Sequence, residues 1–462
     1  MSTIAVIGGG PAGYVAALTA ARKGLKTIVI EEGELGGTCL NRGCIPTKAL
    51  VKSASVYSLL KSAHKFGVAN AGGEVKWEQV QERKRKIVEG LRRGLQSLMK
   101  EAGIRVVQGK AAFQAEHKLE VISKSGDVSL LDIDRIIIAS GSTVKPLKEC
   151  AIDEKNILSS TGILAIPQLP QSLLVIGGGV IGLEFASIFN TLGVEVIVVE
   201  ALPHILPGID EEAGSLIAAL LGKRGVKFKL SAKVLRVDHL SGKMSVQLQT
   251  SKGIEEVVVD KILVAVGRIP NISELRLEKA GVTVEKGQIK VDKSLKTSVE
   301  GIYAAGDVIG NPMLAHAAFI EGATAAMAAS GEAVEMQGQA IPACVYTIPE
   351  VAQVGLTEKE ARELYGNVKV GKYPLRANGK ALIEDEGGEE GFIKIISDGK
   401  YGEVLGVVMV GPHATELIGL GVLAINNELT IEQLADTVQA HPTICEAARE
   451  AALIAVGRPL HI

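Results

Sequence analysis

The chain has 462 residues, several times the roughly 100 to 200 of one domain, so it has room for about two to four domains with cores of their own. Its 50 Lys and Arg against 52 Asp and Glu leave a net charge of −2, which excludes the basic field of a nucleic-acid or anionic-membrane binder, and no run of about 18 apolar residues escapes a charge, Pro, Asn or Gln, so no spanning helix is expected. Five cysteines, without a CxxC spacing, suit neither a secreted disulfide scaffold nor a metal site, and Met1 is followed within three residues by an apolar strand pattern that leaves no room for a leader; the expected location is the cytoplasm.

Glycine, at 53 residues, exceeds its usual share of about 7%, and its first cluster opens the chain. Residues 4 to 31 run from an apolar stretch into Gly8-x-Gly10-x-x-Gly13, then a helical stretch, then a β-branched run that closes on Glu31. The spacing predicts strand, tight turn, helix and strand. In such a unit the first glycine permits the turn, the second lets backbone approach a pyrophosphate, and the third lets helix pack on strand. The anion rests on the helix N-terminus, where unpaired N–H groups and the dipole favour negative charge, and the terminal acid accepts hydrogen bonds from a ribose.

Within a few residues of that acid comes Gly36-Gly37-Thr38-Cys39-Leu40-Asn41-Arg42-Gly43-Cys44-Ile45-Pro46-Thr47-Lys48, which therefore lies beside the first dinucleotide. In an ideal helix, residues five apart have Cα atoms about 8 to 9 Å apart, beyond the roughly 7 Å limit for a disulfide. The two cysteines can bridge only if the turn is irregular. Gly36, Gly37 and Gly43 supply that freedom, and Pro46 suits the first turn of a following helix, whose positive end, with Lys48, would lower a thiol's pKa.

Residues 77 to 103 have helical apolar spacing with a basic run, Arg83 to Lys86, expected on a solvated face. Residues 174 to 200 then repeat the first unit, with Gly177, Gly179, Gly182 and Glu200. The first glycine and the acid are 23 residues apart in both copies, Gly8 to Glu31 and Gly177 to Glu200. Two dinucleotides are implied. A carboxylate at Glu200 would repel a 2′-phosphate, and Ala201 to His204 include no Arg to hold one, so NAD is expected there and not NADP. The runs RIIIASG (135 to 141) and KILVAVG (261 to 267) are expected as matching strands closing the two repeats, with Gly141 and Gly267 at the nucleotide sites, and they place chain crossings near 145 and 270. After about 340 the texture changes to alternating strands and Ala-rich helices, a separate α+β domain. There His441-Pro442-Thr443-Ile444-Cys445-Glu446 sets a His before an acid five positions on, a pattern that can orient the imidazole and suit it to taking a proton from a thiol near neutral pH.

GGTCLNRGCIPTK between two such nucleotide folds resembles the flavin disulfide reductases, the class I pyridine nucleotide-disulfide oxidoreductases, and the resemblance covers essentially the whole chain. It implies an α/β fold class with two Rossmann-like dinucleotide-binding domains plus a C-terminal α+β dimerisation domain. The implied boundaries are 1–145 with 270–340 for FAD, 146–269 for NAD and 341–462 for the homodimer interface. It implies a Cys39–Cys44 redox disulfide beside the flavin. Cys39 would exchange with the substrate and Cys44 serve as the thiolate nearer FAD. Gly37, Thr38 and Lys48 would contact the flavin nucleotide, Lys48 pairing with Glu184, and Asp307 in TSVEGIYAAGDV would bind the ribitol. His441, oriented by Glu446, would be the base, acting on the partner subunit's site.

MLAHAAFIEG (313 to 322), PACVYTIPEVAQVG (342 to 355) and the HPTICEAAREAALIAVGRPLHI ending resemble the members of this family that oxidise protein-bound dihydrolipoamide with NAD⁺. Their partners are lipoyl domains of a 2-oxoacid dehydrogenase complex or the glycine cleavage lipoyl carrier. Ala317, Phe319 and Ile320 depart from the family's usual polar residues, and Cys445 stands where Ser is usual. Cys150 and Cys344 are expected to be structural.

Overall fold

A computed structural model describes residues 2–69, 73–310, 312–338, 340–384 and 390–462. The chain forms two compact units. One comprises Met1–Ala49, Gln81–Lys145 and Gly267–Gly338; the other comprises Leu50–Val80, Pro146–Val266 and Gln339–Ile462.

The first unit is built on a five-stranded parallel sheet. Its order is Ile302–Ala304, Arg135–Ile138, Thr3–Ile7, Lys26–Glu31, Arg105–Gln108. Ile4, Ala5, Val6, Ile136, Ile137 and Ile138 are all fully buried, as expected of strands covered on both faces. Helix Pro11–Arg22 presents Ala12, Ala16, Ala17 and Ala20 to the core, and helix Ala315–Ala329 packs there as well. The helices approach closely because Gly322 has no side chain; a Cβ there would lie 2.2 Å from the Ala12 carbonyl oxygen. A three-stranded antiparallel sheet, Lys110–Ala115, Lys118–Ile122 and Val128–Asp132, completes the unit's secondary layer.

The second unit repeats the pattern. Its parallel sheet runs Lys227–Lys229, Glu195–Val199, Ser172–Ile176, Lys261–Val264, Ile157–Leu158. Residues 341–462 supply a further antiparallel sheet of five strands, ordered Ala343–Val345, Glu350–Gly355, Val404–Gly411, Phe392–Asp398, Val368–Pro374. Helices including Ile431–Asp436 and Glu446–Ala455 cover it, giving the α+β texture that the sequence anticipates. Inside this unit Lys394 is buried against Asp210, its Nζ 2.9 Å from the carboxylate.

Helix Trp77–Glu101 matches its periodicity, but the basic run is not wholly solvated. Gln81, Lys84, Val88, Leu95 and Met99 turn inward at helical spacing. Lys84 bonds the Gln81 side chain at 2.5 Å, and burial, helped by Arg85, brings its pKa down to about 8. The reading of that run as a solvent face is therefore corrected at Lys84. Among the described residues no helix is long and apolar enough to cross a membrane, and no group of three or more His, Cys, Asp or Glu could hold a metal ion.

Candidate active site

The two glycine turns are the same construction built twice. Gly8 has φ +100° and Gly177 φ +111°, in the left-handed region where a side chain is strained, and a Cβ on either would lie within 2.4 Å of a carbonyl oxygen, that of Ala139 or Ala265. The third glycines are equally constrained: a Cβ on Gly13 would lie 1.8 Å from the Gly8 carbonyl oxygen, and one on Gly182 2.0 Å from that of Gly177. The second glycines differ. Nothing lies within 4 Å of a Cβ on Gly179, and only the Gly37 Cα, at 3.8 Å, near one on Gly10.

Each turn opens a 12-residue helix, Pro11–Arg22 or Val180–Thr191, with no side-chain cap and no acid in the first turn. Those N–H groups and the positive helix ends are left for an anion. Glu31 accepts the N–H of Gly9 at 2.6 Å and of Gly33 at 2.7 Å; Glu200 accepts those of Gly178 at 2.7 Å and Leu202 at 2.8 Å. Each carboxylate oxygen thus keeps lone-pair capacity for a ribose hydroxyl while its position is fixed. The cradle, the uncapped helix ends and the acids together fit two dinucleotides.

The cysteine stretch is tied to the first turn. Gly36 donates to the Gly9 carbonyl at 2.8 Å, and a Cβ on Gly37 would sit 2.6 Å from the Gly10 Cα. Gly37, Thr38 and Cys39 begin the short helix Gly37–Arg42, which stops at Gly43, and Cys44 opens the long helix Cys44–Ser62. That break is the irregularity the spacing requires. At Gly43 the chain folds back so closely that a Cβ would lie 2.9 Å from the Thr38 carbonyl oxygen and 3.3 Å from the Cys39 Cα. The two cysteines are brought together, with Cys39 and Cys44 hydrogen-bonded to each other. That bond, then burial and the Cys44 charge, push the Cys39 thiol far up, against a weaker downward pull from Lys48. Cys44, at the positive end of a 19-residue helix, occupies the better place for a thiolate.

Asp307 follows strand Ile302–Ala304, and its carboxylate accepts the Ser142 hydroxyl. Ser142 in turn is held by Arg268, whose Nε donates to Oγ at 2.7 Å and whose Nη2 donates to the carbonyl at 2.6 Å. The sequence reading passes over Ser142 and Arg268. Their neighbours Gly141 and Gly267 have φ +72° and +115°, and their carbonyls accept from Asn271 and Lys145, which fixes the pairing of strands Ser142–Val144 and Arg268–Pro270.

In the second unit Glu184 is buried on helix Val180–Thr191 at 4% exposure, its Oε1 accepting the Tyr346 N–H at 3.0 Å. The His441 side chain is 82% exposed, and its Nδ1 lies 2.9 Å from Glu446 Oε1. Glu446 Oε2 also accepts the Thr443 N–H at 2.9 Å. Burial alone would raise the Glu446 carboxyl, but the Thr443 N–H and His441 outweigh it and hold the group below its ordinary value. An anchored carboxylate on Nδ1 leaves Nε2 as the basic nitrogen facing outward. Cys445, next to it, is half-buried, which raises its thiol; Cys150 is buried, and burial with Asp153 raises its thiol to about 11.

Residues 2–322 match the family model described as pyridine nucleotide-disulphide oxidoreductase, and residues 341–452 match that family's dimerisation domain. A Bacillus subtilis (strain 168) protein named dihydrolipoyl dehydrogenase is 42% identical over 461 residues, spanning 99% of this chain and 100% of the relative. A mitochondrial dihydrolipoyl dehydrogenase of Pisum sativum is 41% identical over 466 residues, 99% of this chain and 92% of the relative. Among solved structures, LpdA from Mycobacterium tuberculosis matches with a TM-score of 0.90 at 29% identity, covering 98% of this chain and 99% of that one. The HOCl-induced flavoprotein disulfide reductase RclA from Escherichia coli matches at 0.86 and 29%, covering 96% and 98%. Likeness of that extent in sequence and in backbone leaves one assignment: the chain belongs to the pyridine nucleotide-disulphide oxidoreductase family, whose members use FAD and NAD.

Proposed function

We propose that the chain is a dihydrolipoyl dehydrogenase, oxidising protein-bound dihydrolipoamide with reduction of NAD⁺. The observation that carries this reading is the thiol pair, hydrogen-bonded across the Gly43 break and anchored to the first nucleotide turn. Gly8, Gly10, Gly13, Glu31, Gly37, Thr38, Lys48, Gly141 and Asp307 hold FAD. Gly177, Gly179, Gly182, Glu200 and Gly267 serve NAD. Bound FAD supplies the carrier that takes an electron pair from sulfur and delivers it as hydride to NAD⁺.

The residues' own part is thiol–disulfide exchange. His441 Nε2 removes the proton from one substrate thiol. The resulting thiolate attacks the Cys39 sulfur of the Cys39–Cys44 disulfide, a mixed disulfide forms, and Cys44 leaves as thiolate. The second substrate sulfur then closes the lipoyl disulfide and displaces Cys39, which takes up a proton. Of the two substrate protons one ends on Cys39 and one on His441, and two electrons have entered the pair. Glu446 orients His441, and Glu184 with Lys48 supports the flavin side. The dimerisation-domain match supports a homodimer, in which His441 of the partner subunit completes each site. The partners proposed are lipoyl domains of a 2-oxoacid dehydrogenase complex or the glycine cleavage carrier, and the sparse cysteines suit a reducing cytoplasm. The test is steady-state turnover of dihydrolipoamide with NAD⁺ against glutathione disulfide with NADPH; a preference for the second pair overturns the reading.

A further inference from the structure

We propose that Ser142 and Arg268 are positioning residues of the flavin nucleotide site, a clamp that sets the Asp307 carboxylate to receive a ribityl hydroxyl before FAD binds. The inference rests on the reading of Asp307 as a ligand of FAD, and it concerns how that side chain is held.

Strands Thr3–Ile7, Arg135–Ile138 and Ile302–Ala304 lie side by side and parallel, so the segments that leave their carboxyl ends, with Gly8, Ser142 and Asp307, emerge at one edge of the sheet. Open α/β sheets bind their ligands at that edge. The turn that carries Asp307 also lies against the helix opened by the first glycine motif. Gly306, at φ +79°, packs so closely there that a Cβ on it would lie 3.0 Å from the Ala12 Cβ. Ala12 is the second residue of the uncapped helix Pro11–Arg22, so Asp307 comes one residue after a contact with the helix end left for a pyrophosphate.

The backbone of that turn is fixed by Glu321, buried on helix Ala315–Ala329, whose Oε2 accepts the Gly306 N–H at 2.7 Å. The side chain is fixed by Ser142. A serine hydroxyl has one proton to give, and because Oγ accepts from Arg268 Nε at 2.7 Å, that proton is directed to Asp307 Oδ2. Arg268 Nη2 donates to the Ser142 carbonyl at 2.6 Å, so the planar guanidinium grips one residue at two points and sets the direction of the whole chain of bonds. Oδ2 is thereby engaged by the protein, and Oδ1 is the oxygen left to accept from a ligand hydroxyl. A carboxylate already held in place gives up less freedom when the ligand arrives.

The experiment follows release of FAD from the diluted holoenzyme as a rise in flavin fluorescence. It compares wild type with Ser142→Ala, Ser142→Thr, Arg268→Met, Asp307→Ala and the double variant of Ser142→Ala with Asp307→Ala. Where a variant is isolated without flavin, a fluorescence titration with FAD completes the same comparison as dissociation constants. Ser142→Ala and Arg268→Met should each speed release about tenfold, whereas Ser142→Thr, which keeps the hydroxyl, should stay within about twofold of wild type. Asp307→Ala should release FAD faster than either, and adding Ser142→Ala to it should change the rate by less than about twofold, because the hydroxyl acts through the carboxylate. Wild-type release in Ser142→Ala or in Arg268→Met overturns the inference. So does a Ser142→Ala effect that persists in full beside Asp307→Ala, the mark of a general loosening of the fold. Wild-type release in Asp307→Ala removes Asp307 from the flavin site, and the inference with it.

Discussion

Lys394 and Asp210 form an ion pair 2.9 Å long whose side chains are 3% and 5% exposed. Asp210 caps helix Glu211–Lys223 by accepting from Glu212 and Ala213, and Lys394 also reaches Glu212 and Glu358. Burial alone would lower the Lys394 pKa, but the bond and charge of Asp210, then of Glu212, raise it above its ordinary value. A lysine raised in this way contributes stability that is complete below its unfolded pKa and fades as pH climbs through the folded one, so the pair is intact at neutral pH. Lys394→Met strands the Asp210 carboxylate and should cost about 3 to 5 kcal/mol, read as a lower urea midpoint at pH 7. A midpoint within error of wild type would mean that the Glu212 and Ala213 N–H groups alone satisfy the carboxylate. The double variant Lys394→Met with Asp210→Asn should recover part of the loss.

Cys44→Ser should retain FAD, because the glycine turns and Asp307 are untouched, and should lose dihydrolipoamide turnover, because the exchange needs both sulfurs. Flavin absorbance and steady-state rate separate the two effects. Substantial turnover in the variant would sink the disulfide assignment.

Glu200→Arg should invert the coenzyme preference. The carboxylate accepts Gly178 and Leu202 N–H groups and would accept a free 2′-hydroxyl, whereas a guanidinium would meet a 2′-phosphate. The ratio of kcat/KM for NAD⁺ and NADP⁺ is the measurement. An unchanged ratio removes Glu200 from the ribose site.

His441→Gln should lower dihydrolipoamide turnover by roughly a hundred- to ten-thousandfold while NADH oxidation by artificial acceptors persists. Refolding it together with Cys44→Ser tests which subunit supplies the base. In a site shared across a two-fold axis, half of the random pairs are heterodimers with one intact site of two, so activity should return to about a quarter of wild type. Heterodimers without activity would place His441 within its own chain's site, or outside it.

The nucleotide turns are legible in the sequence because steric necessity dictates residue type at fixed spacing: Gly13 and Gly182 have no room for a single extra carbon. The cysteine pair is legible for a related reason, since Gly43 announces the break that returns Cys44 to Cys39. Two features are not. Ser142 and Arg268 are 126 residues apart, Ser142 and Asp307 165, and only the pairing of two three-residue strands brings them together. Lys394 lies in a strand buried along its whole length, where nothing local distinguishes a paired lysine from one at the surface. Lys84 misleads in the same way, because its neighbours are charged while its own helical position faces inward.

The open space at Gly179 makes the two nucleotides separable by one methyl group. Its φ of −79° and ψ of −176° suit alanine, and no protein atom lies within 4 Å of the added carbon, so the polypeptide itself has no objection to it. What the methyl obstructs is the close approach of a pyrophosphate to the backbone. A Gly179→Ala chain should melt like its parent, keep its yellow colour and exchange disulfides, yet be blind to NAD⁺. Such an enzyme would isolate the sulfur half of the catalytic cycle, with electrons that arrive and have nowhere to go.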